Sequence, residues 1–149
     1  MENLKNIKIR IQSIKEEIVK RQDELAVISE LSAESVQFQY KIGSLIDVET
    51  DTITVTPIIR YLHDNSEIFK ASAEFVFSIH SLSSIVDIDL ENKKINMNAN
   101  LFPTLVSTAY STLRGIVFVH TKDTLLDGFP LPLIDIDTLV TNNAVTVKQ

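Results

Sequence analysis

The sequence predicts an α+β domain. Three stretches between residues 36 and 79 carry the two-residue alternation of β-strands, a stretch after residue 100 repeats apolar residues at helical spacing, and turn-forming residues separate them. At 149 residues and 44% hydrophobic content, the chain is the size of one domain, 1–149, with enough apolar material for a buried core.

Residues 7–19, IKIRIQSIKEEIV, fit two readings. Ile7, Ile9 and Ile11 alternate as in a strand, while Ile7, Ile11, Ile14 and Ile18 fit one face of a helix. Lysine and glutamate favour helix and β-branched isoleucine favours strand, so the pattern alone leaves both open. Residues 20–34 read as a connection with some helical propensity, with Leu25, Ile28 and Leu31 able to pack on one side.

VQFQYKI (36–42) alternates strictly, with Val36, Phe38, Tyr40 and Ile42 on one face and Gln37, Gln39 and Lys41 on the other. TITVTPIIRYL (52–62) is a second strand, in which Pro57 predicts an edge position or a bulge. HDNSE (63–67) is a turn by composition, and IFKASAEFVFSI (68–79) returns with Phe69, Ala71, Ala73, Phe75, Phe77 and Ile79 on one face. The three form an antiparallel meander. Residues 80–100 are polar and irregular, with a turn expected at Glu91–Lys94.

Asn100 then suits a helix N-cap, with Pro103 in the first turn. Leu105, Ala109, Leu113, Ile116 and His120 follow at helical spacing, giving a helix over 101–122 about 33 Å long. Gly115 weakens it locally and suggests a close backbone neighbour. In GFPLPLIDIDTLV (128–140), Pro130 and Pro132 forbid a regular helix or central strand, so residues 125–133 read as an apolar loop. Asp137 to Val140 starts a short helix or ends extended, and the last nine residues have no strong pattern.

Composition excludes several chemistries. The chain has no cysteine, which removes disulfides, thiol nucleophiles and cysteine-bound zinc and suits a reducing cytoplasm. A net charge of −6 argues against a nucleic-acid partner, and three glycines leave no glycine-rich phosphate loop. No apolar run reaches the roughly 18–20 residues of a membrane span, and the N-terminal residues lack the apolar core of a signal peptide, so no membrane insertion is expected. His63, His80 and His120 lack ligand spacing. Asp87-Ile88-Asp89-Leu90-Glu91 opens like a calcium loop but has Asn92 where glycine belongs and Asn98 where glutamate belongs. Asp135 and Asp137 share a face if extended, but read better as solvated loop carboxylates than as a catalytic pair. No enzyme, cofactor or metal is expected.

Several stretches together resemble the SecB family of export chaperones and its SecB-like relatives. NLFPTL (100–105) is similar to the family's Leu-Phe-Pro-Tyr helix opening, and GFPLPL (128–133) to its Phe-Pro-x-Leu-x-Leu loop. IDIDTLV (134–140) resembles Val-Asn-Phe-Asp-Ala-Leu-Phe, EFVFSI (74–79) resembles the end of Gly-Ile-Phe-Ser-Ile, and SIKEEIV (13–19) resembles Tyr-x-Lys-Asp-Ile-Ser. Arg114-Gly115 departs from the family, in which an Arg-Gly pair lies just before the apolar loop. The resemblance implies that residues 7–19 are a strand, in a four-stranded antiparallel sheet with a long C-terminal helix packed on one face. It also implies dimers paired into tetramers, an ATP-independent hold on unfolded or precursor polypeptides, and a role in protein export from the cytoplasm.

On that reading the client-binding residues are Phe129, Leu131, Leu133 and Ile134 of the loop, together with Phe38, Tyr40, Phe75 and Phe77 of the strands. An irregular apolar loop suits partners of variable sequence, with each buried side chain worth roughly 1.5–3 kcal/mol. Leu105, Ala109, Leu113 and Ile116 are the expected oligomer contact. Glu16 and Glu17 are the remaining candidates for docking the motor SecA, a site weakened by Lys20, Arg21 and Lys70. The other reading is a dedicated chaperone or adaptor for one partner, such as the antitoxin of a toxin–antitoxin pair.

Overall fold

The structure is a computed structural model that describes residues 6–20, 35–127, 131, 134–141 and 146–148. Four long strands, β1 (Ile9–Lys20), β2 (Val36–Asp47), β3 (Thr52–His63) and β4 (Ser66–Ile79), precede a one-turn helix α1 (Leu82–Ile85). A small hairpin, β5 (Val86–Asp89) and β6 (Lys94–Met97), leads into the long helix α2 (Leu101–Thr121). A short helix α3 (Ile136–Thr141) and a last strand β7 (Thr146–Val147) complete the described elements. The main sheet has the order β1-β4-β3-β2-β7, antiparallel except for β7, which runs parallel to β2.

The meander forms as its alternation predicts. Asp64 and Asn65 both have positive φ, the geometry of a two-residue hairpin turn that matches the twist of the flanking strands. Phe38, Tyr40, Ile42 and Ile46 on β2 oppose Tyr61, Ile59, Pro57 and Ile53 on β3, and Val55 and Ile53 oppose Phe75 and Phe77 on β4. These residues share the face that α2 covers.

Residues 7–19 form a strand because of one bulge. The register of β1 against β4 shifts between Ile11 and Ser13, so Ile9 and Ile11 pair with Ile79 and Phe77, while Ile14 and Ile18 pair with Phe75 and Ala71. One extra residue, Gln12, is absorbed at the shift, and all four isoleucines fall on the helix side of the sheet. A strand with one bulge thus carries the spacing that also fits a helix.

Four expectations need correction. The sheet has five strands rather than four, because the patternless tail contributes β7, held by Lys148 N–H donating to the Ile46 carbonyl at 2.8 Å and by Lys148 Nζ beside Asp47 Oδ2 at 3.4 Å. Residues 80–100 are ordered into α1 and a hairpin whose tight turn contains Lys93 at φ 53°. Pro57 lies buried in a central strand with no bulge beside it; pairing to β4 runs through Val55, resumes at Ile58 in the same register, and shifts only at Tyr61/Leu62. Among the described residues Gly115 has no neighbour within 4 Å of where a Cβ would stand, so none of their backbone approaches it closely.

Helix α2 packs on β3 and β4. Its Tyr110 ring meets Tyr40 of β2 edge-on at 6.2 Å, and ten residues later His120 Nε2 lies 3.6 Å from Glu16 Oε1 of β1. Tyr40 and Ile18 belong to one row across the sheet, through Ile59 and Ala71, and Glu16 pairs with Ala73. The helix therefore crosses the strands rather than following them. Ala71 and Ala73, both buried, supply the small side chains that let it sit close to β4.

Candidate functional site

The crossing leaves apolar surface on both flanks of α2. On β1, which the helix meets at Glu16, Ile11 and Ile14 stay 43% and 46% exposed although they are on the helix side of the sheet. On the other flank, a cleft of about 400 Å³ is lined by Tyr61, Ser111, Arg114, Gly115, Val117, Phe118, Thr121, Asp127 and Leu131. Phe118 is 63% exposed and Val119 68%, and Leu125, in the turn after the helix, is 42% exposed. A helix whose inward series is Leu105, Ala109, Leu113 and Val117 has no packing use for a large side chain at 118.

Arg114 organises the cleft. Its Nη2 donates to the Leu131 carbonyl at 3.4 Å, and its charge lies close enough to Tyr40 and Tyr110 to favour their ionised forms, though burial outweighs it at both. Burial pushes the Tyr40 hydroxyl up to about 12, and raises Tyr61 and Tyr110 further. All three tyrosines of the chain thus join one aromatic group with Phe38 and Phe69. Tyr40 Oη is buried without a hydrogen-bond partner among the described residues. No family model, curated protein or solved structure matches this chain.

The sequence-predicted client residues divide. Leu131 is at the cleft but buried, and Ile134 is half-buried against the core. Phe129 and Leu133 lie outside the described residues. Phe38 and Tyr40 are half-buried, whereas Phe75 and Phe77 are sealed beneath the helix side of the sheet and offer nothing to a client in this structure. Alternation correctly put Phe75 and Phe77 on one face; that face is the core.

Leu105, Ala109 and Leu113 are buried against the sheet, which corrects their assignment to an oligomer contact; Ile116 is half-buried. The outward face of α2 instead carries Thr104, Thr108, Ser111, Gly115 and Phe118, all exposed and spaced alternately by four and three residues. Thr108 and Thr112 turn their hydroxyls back onto the carbonyls of Thr104 and Thr108. Glu16 and Glu17 also separate, since neighbouring strand residues point to opposite faces. Glu16 faces the helix side at His120, and Glu17 is on the outer face opposite Ser72, so the two cannot form one acidic patch.

The remaining polar candidates are structural. Asp135 accepts from the Asp137 N–H at 3.1 Å and from the Thr138 hydroxyl at 2.9 Å, capping α3 rather than pairing with Asp137. Asp89 accepts from both the backbone N–H and the amide of Asn92, bonds that hold its carboxyl below the usual range. Among the described residues no group of histidines and carboxylates could hold a metal ion, and no helix is long and apolar enough to cross a membrane. Sequence reasoning missed Arg114, Phe118, Ile11 and Ile14 as surface features. For Phe118 the signal was available: it falls off the inward helical series.

Proposed function

We propose that this chain is an ATP-independent holding chaperone, which takes apolar segments of unfolded polypeptides along both flanks of α2. The observation that carries this reading is the exposure of Phe118 at the cleft, with Val119 beside it on the helix and Ile11 and Ile14 exposed on the helix side of β1. Isolated exposed apolar residues need no explanation, but Phe118 and Val119, adjacent on one helix with Phe118 lining a cleft, suit a binding surface. Branched and aromatic side chains of a client would fill the cleft and the β1 flank by many weak contacts, without fixing the client's own fold. A cytoplasmic export role, with SecA as partner, and a dedicated antitoxin-holding role are the two settings the sequence resemblance offers for this activity.

The protein also assembles, on this proposal, as a symmetric dimer or tetramer. The outward Thr104 and Thr108, which lie outside the cleft lining, would let a second helix approach closely, leaving Phe118 for clients. Light scattering at micromolar concentration tests this; a strict monomer removes the assembly and leaves the cleft reading standing.

The deciding experiment is suppression of aggregation of an unrelated unfolded protein without nucleotide. The wild type should protect at near-stoichiometric ratio, and a variant with Ile11, Ile14 and Phe118 replaced by serine should not, while melting at nearly the same temperature. Equal protection by an inert control protein sinks the proposal.

A further inference from the structure

The lining of the cleft includes two opposite charges, Arg114 and Asp127. Arg114 is half-buried, and its hydrogen bond to Leu131 is long at 3.4 Å. A guanidinium has five N–H donors, and among the described residues no carboxylate lies within ion-pair distance of this one. Asp127 also lines the cleft and is exposed, reached from Thr121 by two successive turns in which Thr124 N–H donates to the Thr121 carbonyl and Asp127 N–H to the Thr124 carbonyl, each at 3.1 Å, and its Oδ2 accepts from the Asp123 N–H at 3.3 Å. Seven helical residues separate positions 114 and 121, a rise of about 10 Å. The wall between is Gly115, Val117 and Phe118, facing Tyr61 and Leu131. Gly115 adds no side chain to this wall, and among the described residues the space beside it is open.

We propose that the cleft selects extended client segments in which a carboxylate and a cationic side chain, three or four residues apart, bracket aliphatic or aromatic residues. An extended chain advances about 3.3 Å per residue, so such a pair spans about 10–13 Å, comparable with the helical rise from position 114 to position 121. The carboxylate takes the open donors of Arg114, the cation approaches Asp127, and the apolar side chains enter between Phe118 and Tyr61. This rests on the reading of the cleft as a client groove, and adds charge order to apolar content as a criterion of choice. Like-charged pairs place one charge against its own sign, which disfavours them.

The test uses four capped peptides of identical Leu-Phe-Ala core, flanked by glutamate and lysine, by two glutamines, by two lysines or by two glutamates, and titrated by fluorescence anisotropy onto the full chain. The glutamate–lysine peptide should bind about five- to tenfold more tightly than the glutamine peptide at low salt, with the gain shrinking by 0.5 M salt. Arg114→Gln should abolish the gain and Arg114→Lys retain it. Arg114→Glu should move the preference to the two-lysine peptide. If loss of the Leu131 bond alone mattered, Arg114→Lys would fail as Arg114→Gln does, which overturns the charge assignment. Equal affinity of all four peptides for the wild type overturns the inference while leaving the holdase reading intact. No binding of any peptide, with aggregation suppression preserved, shows that clients bind elsewhere; loss of both removes the holdase reading too. Should Arg114→Gln not fold, the wild-type peptide ranking and its salt dependence decide alone.

Discussion

Arg114 Nη2 lies 3.4 Å from the carbonyl oxygen of Leu131, tying the second half of α2 to a residue seventeen positions downstream. Leu131 itself is 6% exposed, whereas Phe118, on the same cleft, is 63% exposed. Two apolar residues of one site therefore answer to different forces. Leu131→Ser should destabilise by about 3–5 kcal/mol, through lost burial and a buried hydroxyl. Phe118→Ser should stay within about 0.5 kcal/mol of wild type and lose client affinity. Thermal melting beside a client titration on each variant separates them; a Leu131→Ser protein that melts like wild type would make residue 131 a contact residue.

Adding a side chain at Gly115 should help the fold. A Cβ there meets none of the described residues within 4 Å, and glycine in a helix interior costs about 0.5–1 kcal/mol relative to alanine. Gly115→Ala should raise the urea midpoint accordingly, and Gly115→Leu should fill part of the cleft and weaken client binding without unfolding. A fall in stability for Gly115→Ala would show a constraint on the helix that the geometry does not contain.

Ala71 and Ala73 are small because α2 crosses above them. Ala71→Leu or Ala73→Leu should overpack that contact and cost about 1–3 kcal/mol. The same change at Ser72, on the outer face between them and half-buried, should cost much less. Comparable losses at all three positions would contradict the close crossing.

Stability should fall in alkali. Tyr40, Tyr61 and Tyr110 are raised above the ordinary value of 10.0, by burial first in each case, Tyr40 to about 12. The folded chain thus keeps protons that the unfolded chain gives up above pH 10. The stabilisation is complete below pH 10 and is lost as pH rises from 10 toward 12 and beyond, at about 1.4 kcal/mol per pH unit for each tyrosine. Urea midpoints flat from pH 7 to 9 and steeply falling above 10 are expected. Tyr40→Phe should shallow that fall and, by deleting a buried hydroxyl without a partner among the described residues, leave neutral-pH stability unchanged or higher. A midpoint constant to pH 11.5 would mean that the tyrosines ionise freely in the folded state.

The bulge in β1 shows where pattern reading reaches its limit. Strict alternation made β2, β3 and β4 legible, because a sheet covered on one face imposes a period of two. One inserted residue at Gln12 broke that period in β1 and produced a spacing that a helix also satisfies. Deleting Gln12 should restore unbroken alternation, keep Ile14 and Ile18 on the helix side, and cost little stability. Deleting Lys15 should turn Ile18 outward and cost far more. Equal melting temperatures for the two deletions would remove the bulge from this account.

Other misses have different causes. Phe75 and Phe77 have the same alternating signature whether their face meets solvent or a helix, so burial could not be read from strand pattern alone. The short β7 is fixed by pairing to Leu45 and Ile46 and by the Lys148 contacts, not by a pattern of its own. Arg114 and Asp127 become neighbours of one cleft only after the chain turns at 122–127. By contrast α2 was placed within one residue at its end, because a long amphipathic repeat between Asn100 and a run of turn residues leaves little choice.

The path of α2 across the sheet also sets an order of opening. The helix packs on β3 and β4, while β1 is joined to the rest chiefly by its ladder to β4 and is exposed along nearly its whole length. Amides of β3, and those of β4 that bond to β3, should therefore exchange with solvent only when the whole molecule unfolds, and those of β1 with the β4 amides bonded to it through a cheaper partial opening. In that open state β4 would be left as a fresh edge, its backbone unpaired over the stretch from Phe69 to Ile79. The protein would then have a second, transient way of holding an extended chain, by lending it the place of its own first strand.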